Sequence, residues 1–248
     1  MIWAVLMLVS FTSVYSFFAE ESHLRGCRQD RSAEIAELLK QLAPGEIEES
    51  PGVVILGPTE EITEKVRRRL AVIANESAES RASVIRALTN VLNTPDEDRD
   101  IARTTRWNVA VSLLGELKAT EAIRDLVRNL NRTGEAVLTR PRIRPVEKAL
   151  IRIGEPAIPI LVEALSQPDL RREATSTLGE IGQPALNRLL DALSHGSPPV
   201  RGGAALALSR IGGANARDAI QRALRAETNE EVKKELEEAL RYMRPVEK

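Results

Sequence analysis

Apolar residues between positions 142 and 224 recur three and four positions apart, in blocks that a glycine separates. This spacing places the apolar side chains on one side of an α-helix. The same unit occurs three times in succession, over residues 142–165, 170–193 and 200–224. The glycine within each unit ends the first helix and lets the chain turn. Each unit is therefore predicted to form two short antiparallel helices.

Equivalent positions in the three units identify the predicted core. The first helix of each unit is centred on a leucine and ends at a glycine four residues later. These pairs are Leu150 with Gly154, Leu178 with Gly182, and Leu208 with Gly212. The second helices repeat an apolar set that comprises Ile158, Leu161, Leu165, Leu186, Leu189, Leu193, Ile220 and Leu224. The third unit departs from this set, because Arg217 occupies the position of Ile158 and Leu186.

Weaker copies extend the pattern on both sides. Residues 106–130 form a copy in which Lys118 replaces the glycine, residues 61–92 form a second, and residues 232–243 form a single helix. The central leucines are separated by 36, 28 and 30 residues, at Leu114, Leu150, Leu178 and Leu208. One helix pair cannot bury its apolar face alone, whereas stacked pairs can. We therefore expect an all-α solenoid of about five stacked antiparallel helix pairs over residues 59–243.

The best-matched units resemble the short bacterial HEAT-like repeats that also occur in phycobilisome lyases. That motif reads approximately V-R-x-x-A-A-x-A-L-x-x-I-G, followed by a second helix that ends in A-L. The matching residues are Val200, Arg201, Ala204, Ala205, Leu208, Ile211 and Gly212, together with Leu170, Arg171, Ala174, Leu178, Ile181 and Gly182. The resemblance covers about residues 59–243. It implies a HEAT-like solenoid (an armadillo-like helical fold) whose second helices line a concave surface where partners dock.

A polar strip on the second helices is the main candidate site. Aligned on their last leucine, these helices carry mostly polar residues two and six positions earlier, which share one helical face. The positions comprise Arg86, Asn90, Arg124, Arg128, Pro159, Glu163, Asn187, Asp191, Asp218 and Arg222. The residues predicted to contact a protein partner are Arg124, Arg128, Glu163, Asn187, Asp191 and Arg222. The alternative is a ladder of ion pairs between repeats that only solvates this face.

An insertion between two repeats is the second candidate site. Residues 131–145 lengthen one repeat and carry Arg140, Arg142 and Arg144 among prolines. Insertions in solenoids emerge as loops on one face, which is often the binding face. These arginines are therefore either a partner contact or part of a solvated hinge.

The amino-acid composition argues against some classes of binding partner. The chain has 35 basic and 36 acidic residues and a net charge of −1, so it has no overall attraction to nucleic acid or to an anionic membrane. After residue 18 the only aromatic residues are Trp107 and Tyr242, which leaves no set of stacking platforms for bases. The single cysteine, Cys27, excludes an internal disulfide and a multi-cysteine metal site. The expected partner is a protein and not a nucleic acid.

The sequence contains no catalytic or cofactor-binding pattern. His23 and His195 lie in a predicted linker and a predicted turn, without a fixed acid or nucleophile in local reach. The carboxylates of residues 96–100 would suit the start of a calcium loop, but Ile101 and Trp107 stand where glycine and glutamate are needed. We therefore expect a non-catalytic scaffold or adaptor with no cofactor and no metal. The resemblance keeps an alternative open, an auxiliary lyase or chaperone of the bilin-lyase type.

The N-terminal segment indicates the cellular location of the protein. Residues 1–19 are apolar and carry no charged side chain, as in a cleaved signal peptide or a membrane anchor, and a buried helix also remains open. Residues 20–58 are expected to form a linker and an N-terminal capping helix, and residues 244–248 a C-terminal tail. We predict an exported or cell-envelope protein that touches a membrane only through residues 1–19, if these are not cleaved.

Overall fold

The computed structural model describes residues 31–42, 58–94, 101–132 and 144–243, which form α-helices and turns without a β-strand. Residues 31–40 form α1. The helices that follow are α2 (Glu60–Glu76), α3 (Ala78–Asn93), α4 (Ile101–Glu116), α5 (Ile123–Arg128), α6 (Pro145–Ile153), α7 (Ile158–Ala164), α8 (Arg171–Ile181), α9 (Leu186–Ala192), α10 (Pro198–Ile211), α11 (Ala214–Ala226) and α12 (Glu230–Arg241). Short 3₁₀ turns precede α5, α7 and α9, at Thr120–Ala122, Glu155–Ala157 and Gln183–Ala185.

Several predicted features fall outside the described residues. They are the signal or anchor segment at residues 1–19, the linker with His23 and Cys27, the carboxylates of residues 96–100, Arg140, Arg142 and the tail at residues 244–248. Within the described ranges, no helix has both the length and the apolar character that a membrane span requires.

The helices are arranged in two layers. The first helices of the pairs, α2, α4, α6, α8, α10 and α12, contact one another in that order. The second helices, α3, α5, α7, α9 and α11, contact one another in the same way. Each second helix also packs against the first helix of the next pair, for example α7 against α8. This arrangement confirms the prediction of an all-α solenoid of stacked helix pairs.

The core lies between the two layers and is almost entirely aliphatic. The central leucines of the first helices are fully buried, at Leu114, Leu150, Leu178 and Leu208. The second helices bury the matching apolar residues Leu126, Leu161, Leu189 and Ile220. Burial of one such side chain contributes about 1.5–3 kcal/mol. The packing of the described helices therefore rests on the repeated apolar stripe.

The turns within the helix pairs depend on a left-handed backbone. Gly154, Gly182 and Gly212 each have a φ of +77°, which residues with a Cβ rarely adopt. Each glycine donates its N–H to the carbonyl of the central leucine and closes the last helical turn. In the α4–α5 turn Lys118 has a φ of +48°. The α4–α5 helix pair therefore turns through a left-handed backbone at a lysine instead of a glycine.

The third unit accommodates its irregular second helix by a shift of one position. Arg217 is only half-buried, and Ala216 beside it is fully buried against the first-helix layer. Helix α11 follows Gly212 and Gly213 without a 3₁₀ turn. The apolar face is therefore kept, although its residues are smaller.

Helix α1 joins the first end of the solenoid. Its buried apolar side chains and those just after it belong to the common core, at Ile35, Leu39 and Leu42. Arg31 pairs with Glu76 of α2 at 2.6 Å, and Arg69 of α2 pairs with Glu34 at 2.5 Å. Hydrogen bonds from Arg69 and Arg31 lower the pKa of Glu34. Apolar packing and ion pairs thus both attach α1 to α2.

Candidate functional site

The ten positions of the predicted polar strip all lie on the exposed surface of the second helices. We call them the second-helix strip: Arg86, Asn90, Arg124, Arg128, Pro159, Glu163, Asn187, Asp191, Asp218 and Arg222. Helices α3, α5, α7, α9 and α11 contribute two positions each. Buried residues on the opposite side of each helix, such as Leu126 and Leu161, hold these side chains outward. Contact with a partner remains a prediction for all of them.

Charge is unevenly distributed along the strip. Arg124 and Arg128 make the α5 portion cationic, whereas Glu163 on α7 and Asp191 on α9 make the next two portions anionic. Helix α11 contributes one residue of each sign. Arg188, exposed beside the strip on α9, reduces the negative charge there. The strip is therefore mixed in sign, but its signs are segregated by helix.

Arg128 forms the strip's single ion pair among the described residues. Its Nη1 lies 2.9 Å from Oδ1 of Asp125, one turn earlier on α5. The same oxygen accepts a hydrogen bond from Nδ2 of Asn93 on α3, also at 2.9 Å. The Arg128 side chain is 69% exposed, so this pair contributes at most about 1 kcal/mol. Its guanidinium therefore remains accessible to a partner.

The ion pairs that link successive repeats lie on the other layer. Arg67 of α2 contacts Glu116 of α4 at 2.6 Å, and Arg152 of α6 contacts the same carboxylate at 3.5 Å. Arg210 of α10 lies 3.9 Å from Glu180 of α8. No ion pair within the described ranges joins two members of the second-helix strip. The ladder considered as the alternative for the strip is thus found on the first helices.

A groove between α9 and α11 opens beside one end of the strip. Its volume is about 600 Å³, and Leu190, Ala219 and Ala223 give it an apolar lining. Arg222 of the strip and His195 also line it. A groove of this size admits an apolar side chain next to a charged surface.

A partly buried ion pair forms one wall of this groove. Arg201 donates from Nε and Nη2 to the two carboxylate oxygens of Glu227, at 2.7 and 2.8 Å. The Arg201 hydrogen bonds, with further ones from the backbone N–H groups of Asn229 and Thr228, lower the pKa of Glu227 to about 2. This pair was not predicted from the sequence. The only indication of the pair in the sequence was that Arg201 occupies the arginine position of the repeat motif.

A second groove lies on the first-helix layer, between α8, α10 and α12. It has a volume of about 680 Å³ and is lined by Arg172, Leu206, Arg210, Glu238 and Tyr242, among others. Tyr242 is 68% exposed. Charges of both signs surround the groove, without an arrangement specific to one ligand.

The described part of the insertion is engaged within the protein. Arg144, half-buried before α6, donates from Nη1 to Glu147 at 3.0 Å and to Ser176 of α8 at 3.2 Å. It thereby links two neighbouring first helices. Arg144 does not lie with the second-helix strip, and the predicted contact role of Arg140, Arg142 and Arg144 remains untested.

The described residues bring no catalytic or metal-binding set together. Within these ranges, no group of three or more His, Cys, Asp or Glu side chains is placed to hold a metal ion. His195 accepts a hydrogen bond at Nδ1 from the backbone N–H of Ser197, within its own turn. That contact orders the turn and provides no acid–base partner.

The match to a protein family agrees with the repeated architecture. Residues 154–241 match the model of the family described as HEAT repeats. No curated protein matches the chain. Among solved structures, the chain is similar to the complex of CpcE and CpcF of phycocyanin lyase from Nostoc sp. PCC7120, at 21% identity and a TM-score of 0.34. The match covers 88% of this chain and 85% of that one. The stacked helix pairs therefore form an all-α, HEAT-like solenoid, in which residues 154–241 match HEAT repeats.

Proposed function

We propose that this protein is a non-catalytic scaffold or adaptor that binds a protein partner on the second-helix strip. The observation that carries the proposal is the separation of charges between the two layers. Inter-repeat ion pairs engage charged side chains on the first helices, as Glu116 does with Arg67 and Arg152. The strip presents exposed charges that are not linked to one another across the repeats.

The mechanism is presentation of a preformed surface. Each strip residue sits on a helix whose opposite face is fully buried, as Leu161 and Leu189 show. Binding then requires little reordering of the backbone, which reduces its entropic cost. Exposed charges at such a surface steer association and select partners more than they add affinity.

The alternative function is that of an auxiliary lyase or chaperone of the bilin-lyase type. No residue among the described ranges favours it. We also propose export or attachment to the cell envelope, for which the apolar residues 1–19 are the support.

The proposed binding function is tested by capture of partners with the full chain as bait. A second bait carries Arg128→Ala, Glu163→Ala, Asp191→Ala and Arg222→Ala, which removes two charges of each sign from the strip. A protein bound stoichiometrically by the parent and lost from this variant supports the proposal. The same samples, examined by absorption and zinc-enhanced fluorescence, reveal a bound tetrapyrrole.

A matched control separates loss of the strip from loss of charge. Lys148→Ala, Glu155→Ala, Lys234→Ala and Glu237→Ala also remove two charges of each sign, all from exposed positions off the strip. Circular dichroism verifies that both variants remain helical. A partner retained by the strip variant, or lost equally from the control, would refute binding at the strip.

A further inference from the structure

The order of charges along the second-helix strip restricts the sequence that fits it. The strip is cationic at Arg124 and Arg128 on α5 and anionic at Glu163 on α7 and Asp191 on α9. The groove between α9 and α11, whose lining is partly apolar and partly polar, follows immediately. A complementary segment therefore needs an acidic part, a basic part and an apolar side chain in this order.

Helix packing fixes the approximate spacing of these parts. Neighbouring packed helices lie about 8–10 Å apart, so α5 and α9, with α7 between them, lie about 20 Å apart. The groove beyond α9 begins about half a step further. An extended chain in the polyproline II conformation advances about 3.1 Å per residue with three residues per turn, so side chains three apart face the same way. About three residues therefore separate contacts with consecutive helices, and about eight residues span the distance from α5 to the groove.

The strip has the chemistry for such contacts. Arg124 and Arg128 are exposed and can donate to carboxylates, and the arginine fork can do so with two hydrogen bonds. Glu163 and Asp191 are exposed and have no ion pair within the described residues. The groove offers Leu190, Ala219 and Ala223, against which an aliphatic side chain would lose part of its contact with water.

We propose that the partner segment is an extended peptide whose acidic residues lie over α5, whose basic residues lie over α7 and α9, and whose apolar side chain fills the α9–α11 groove. This inference rests on the proposed function and specifies the partner's chemistry. The position of the apolar side chain gives the segment a direction. A segment with the same composition but with its apolar residue beside the acids does not fit.

Two synthetic probes of identical composition test this order. The peptide EESKSSKSL has the proposed order, and the peptide KKSESSESL exchanges the signs and keeps the leucine in place. Both are amidated at the C-terminus and labelled at the N-terminus with fluorescein. Binding to the full chain is measured by fluorescence anisotropy at low salt. We expect the first probe to bind about tenfold more tightly, equivalent to about 1.4 kcal/mol, and the difference to shrink as salt screens the charges.

A variant with exchanged charges distinguishes recognition of the probes by the strip side chains from a purely structural role of those side chains. Arg124→Glu, Arg128→Glu, Glu163→Arg and Asp191→Arg exchange the two signs along the strip and leave the groove unchanged. The variant is expected to prefer KKSESSESL over EESKSSKSL. Equal affinities for the parent, no binding of either probe up to about 1 mM, or an unchanged preference in the variant would each overturn the proposal.

Two further outcomes separate this inference from the proposed function. If the probes fail while the captured partner is still lost from the alanine strip variant, binding at the strip stands and only this partner chemistry falls. If the partner is retained by that variant, both fall. Concentration-dependent dimerisation of the full chain, abolished by the charge exchange, would show that a second copy occupies the strip and would also overturn the inference.

Discussion

Arg171 of α8 and Glu235 of α12 form a two-point ion pair across α10, with Nη1–Oε1 and Nη2–Oε2 distances of 2.8 and 2.7 Å. The pair therefore bridges alternate repeats. It passes directly over Gly202 of α10, where an added Cβ would lie 1.6 Å from Oε2 of Glu235 and 2.8 Å from Nη2 of Arg171. A glycine inside a helix costs about 1 kcal/mol relative to alanine. At this position the ion pair occupies the space that a side chain on α10 would take.

Gly202→Ala is therefore expected to destabilise the protein, although alanine is the better helix former. The methyl group displaces Glu235 or Arg171 and leaves a partly buried charge without its partner. We expect a loss of about 1–2 kcal/mol in the free energy of unfolding, measured by urea denaturation. In a Glu235→Ala background the same substitution is expected to be neutral or stabilising. Equal losses in both backgrounds would exclude the ion pair as the reason.

Gly182→Ala is expected to destabilise the α8–α9 turn. The φ of +77° at this position forces a Cβ into an unfavourable backbone conformation, at a cost of about 1–2 kcal/mol. Thermal and urea unfolding would measure the loss. Lys118→Gly is the opposing control, since Lys118 already has a φ of +48°. That substitution is expected to leave stability nearly unchanged, because relief of strain offsets the greater entropy of the unfolded chain.

The Arg201–Glu227 pair is expected to contribute a pH-dependent part of stability. The pKa of Glu227 is lowered from 4.5 to about 2, chiefly by hydrogen bonds from Arg201. The folded protein therefore binds this proton less readily than the unfolded chain. The stabilisation is complete above pH 4.5 and is lost as the pH falls from about 4.5 towards 2.

Glu227→Gln tests this dependence. At pH 7 the variant should be less stable by about 2 kcal/mol, because a hydrogen-bonded charge pair is broken. The difference from the parent should diminish as the pH falls through this range, which urea titrations at several pH values would reveal. A difference that stays constant from pH 7 to pH 3 would contradict the assignment.

The strip charges are expected to matter little for folding. The variant with Arg128→Ala, Glu163→Ala, Asp191→Ala and Arg222→Ala should change the free energy of unfolding by less than about 1 kcal/mol, because its side chains are exposed and at most weakly paired. By contrast, Leu161→Ala should cost about 2–5 kcal/mol, because it leaves a cavity in the core. Urea denaturation of the two variants beside the parent would measure both changes. A large loss in the strip variant would show that the strip supports the fold.

Part of the candidate site could be predicted from the sequence, because exposure follows helical periodicity. The ten strip positions were found by counting back from the last leucine of each second helix, and all ten are exposed. The groove beside Arg222 was not found, because its walls come from α9, α11 and the turn after α9. Periodicity within one helix carries no information about the gap between two helices. Partner contact at these positions stays a prediction.

The sequence by itself determined the repeat, the helix pairs and the core. These follow from apolar residues at helical spacing and from glycines such as Gly154, which are local properties of the chain. Only the tertiary structure decided which charges pair between different helices. Arg171 and Glu235 are 64 residues apart, and they meet because stacking places α8 and α12 on either side of α10. Ion pairs and grooves depend on distances between helices, whereas the repeat depends only on positions along one helix.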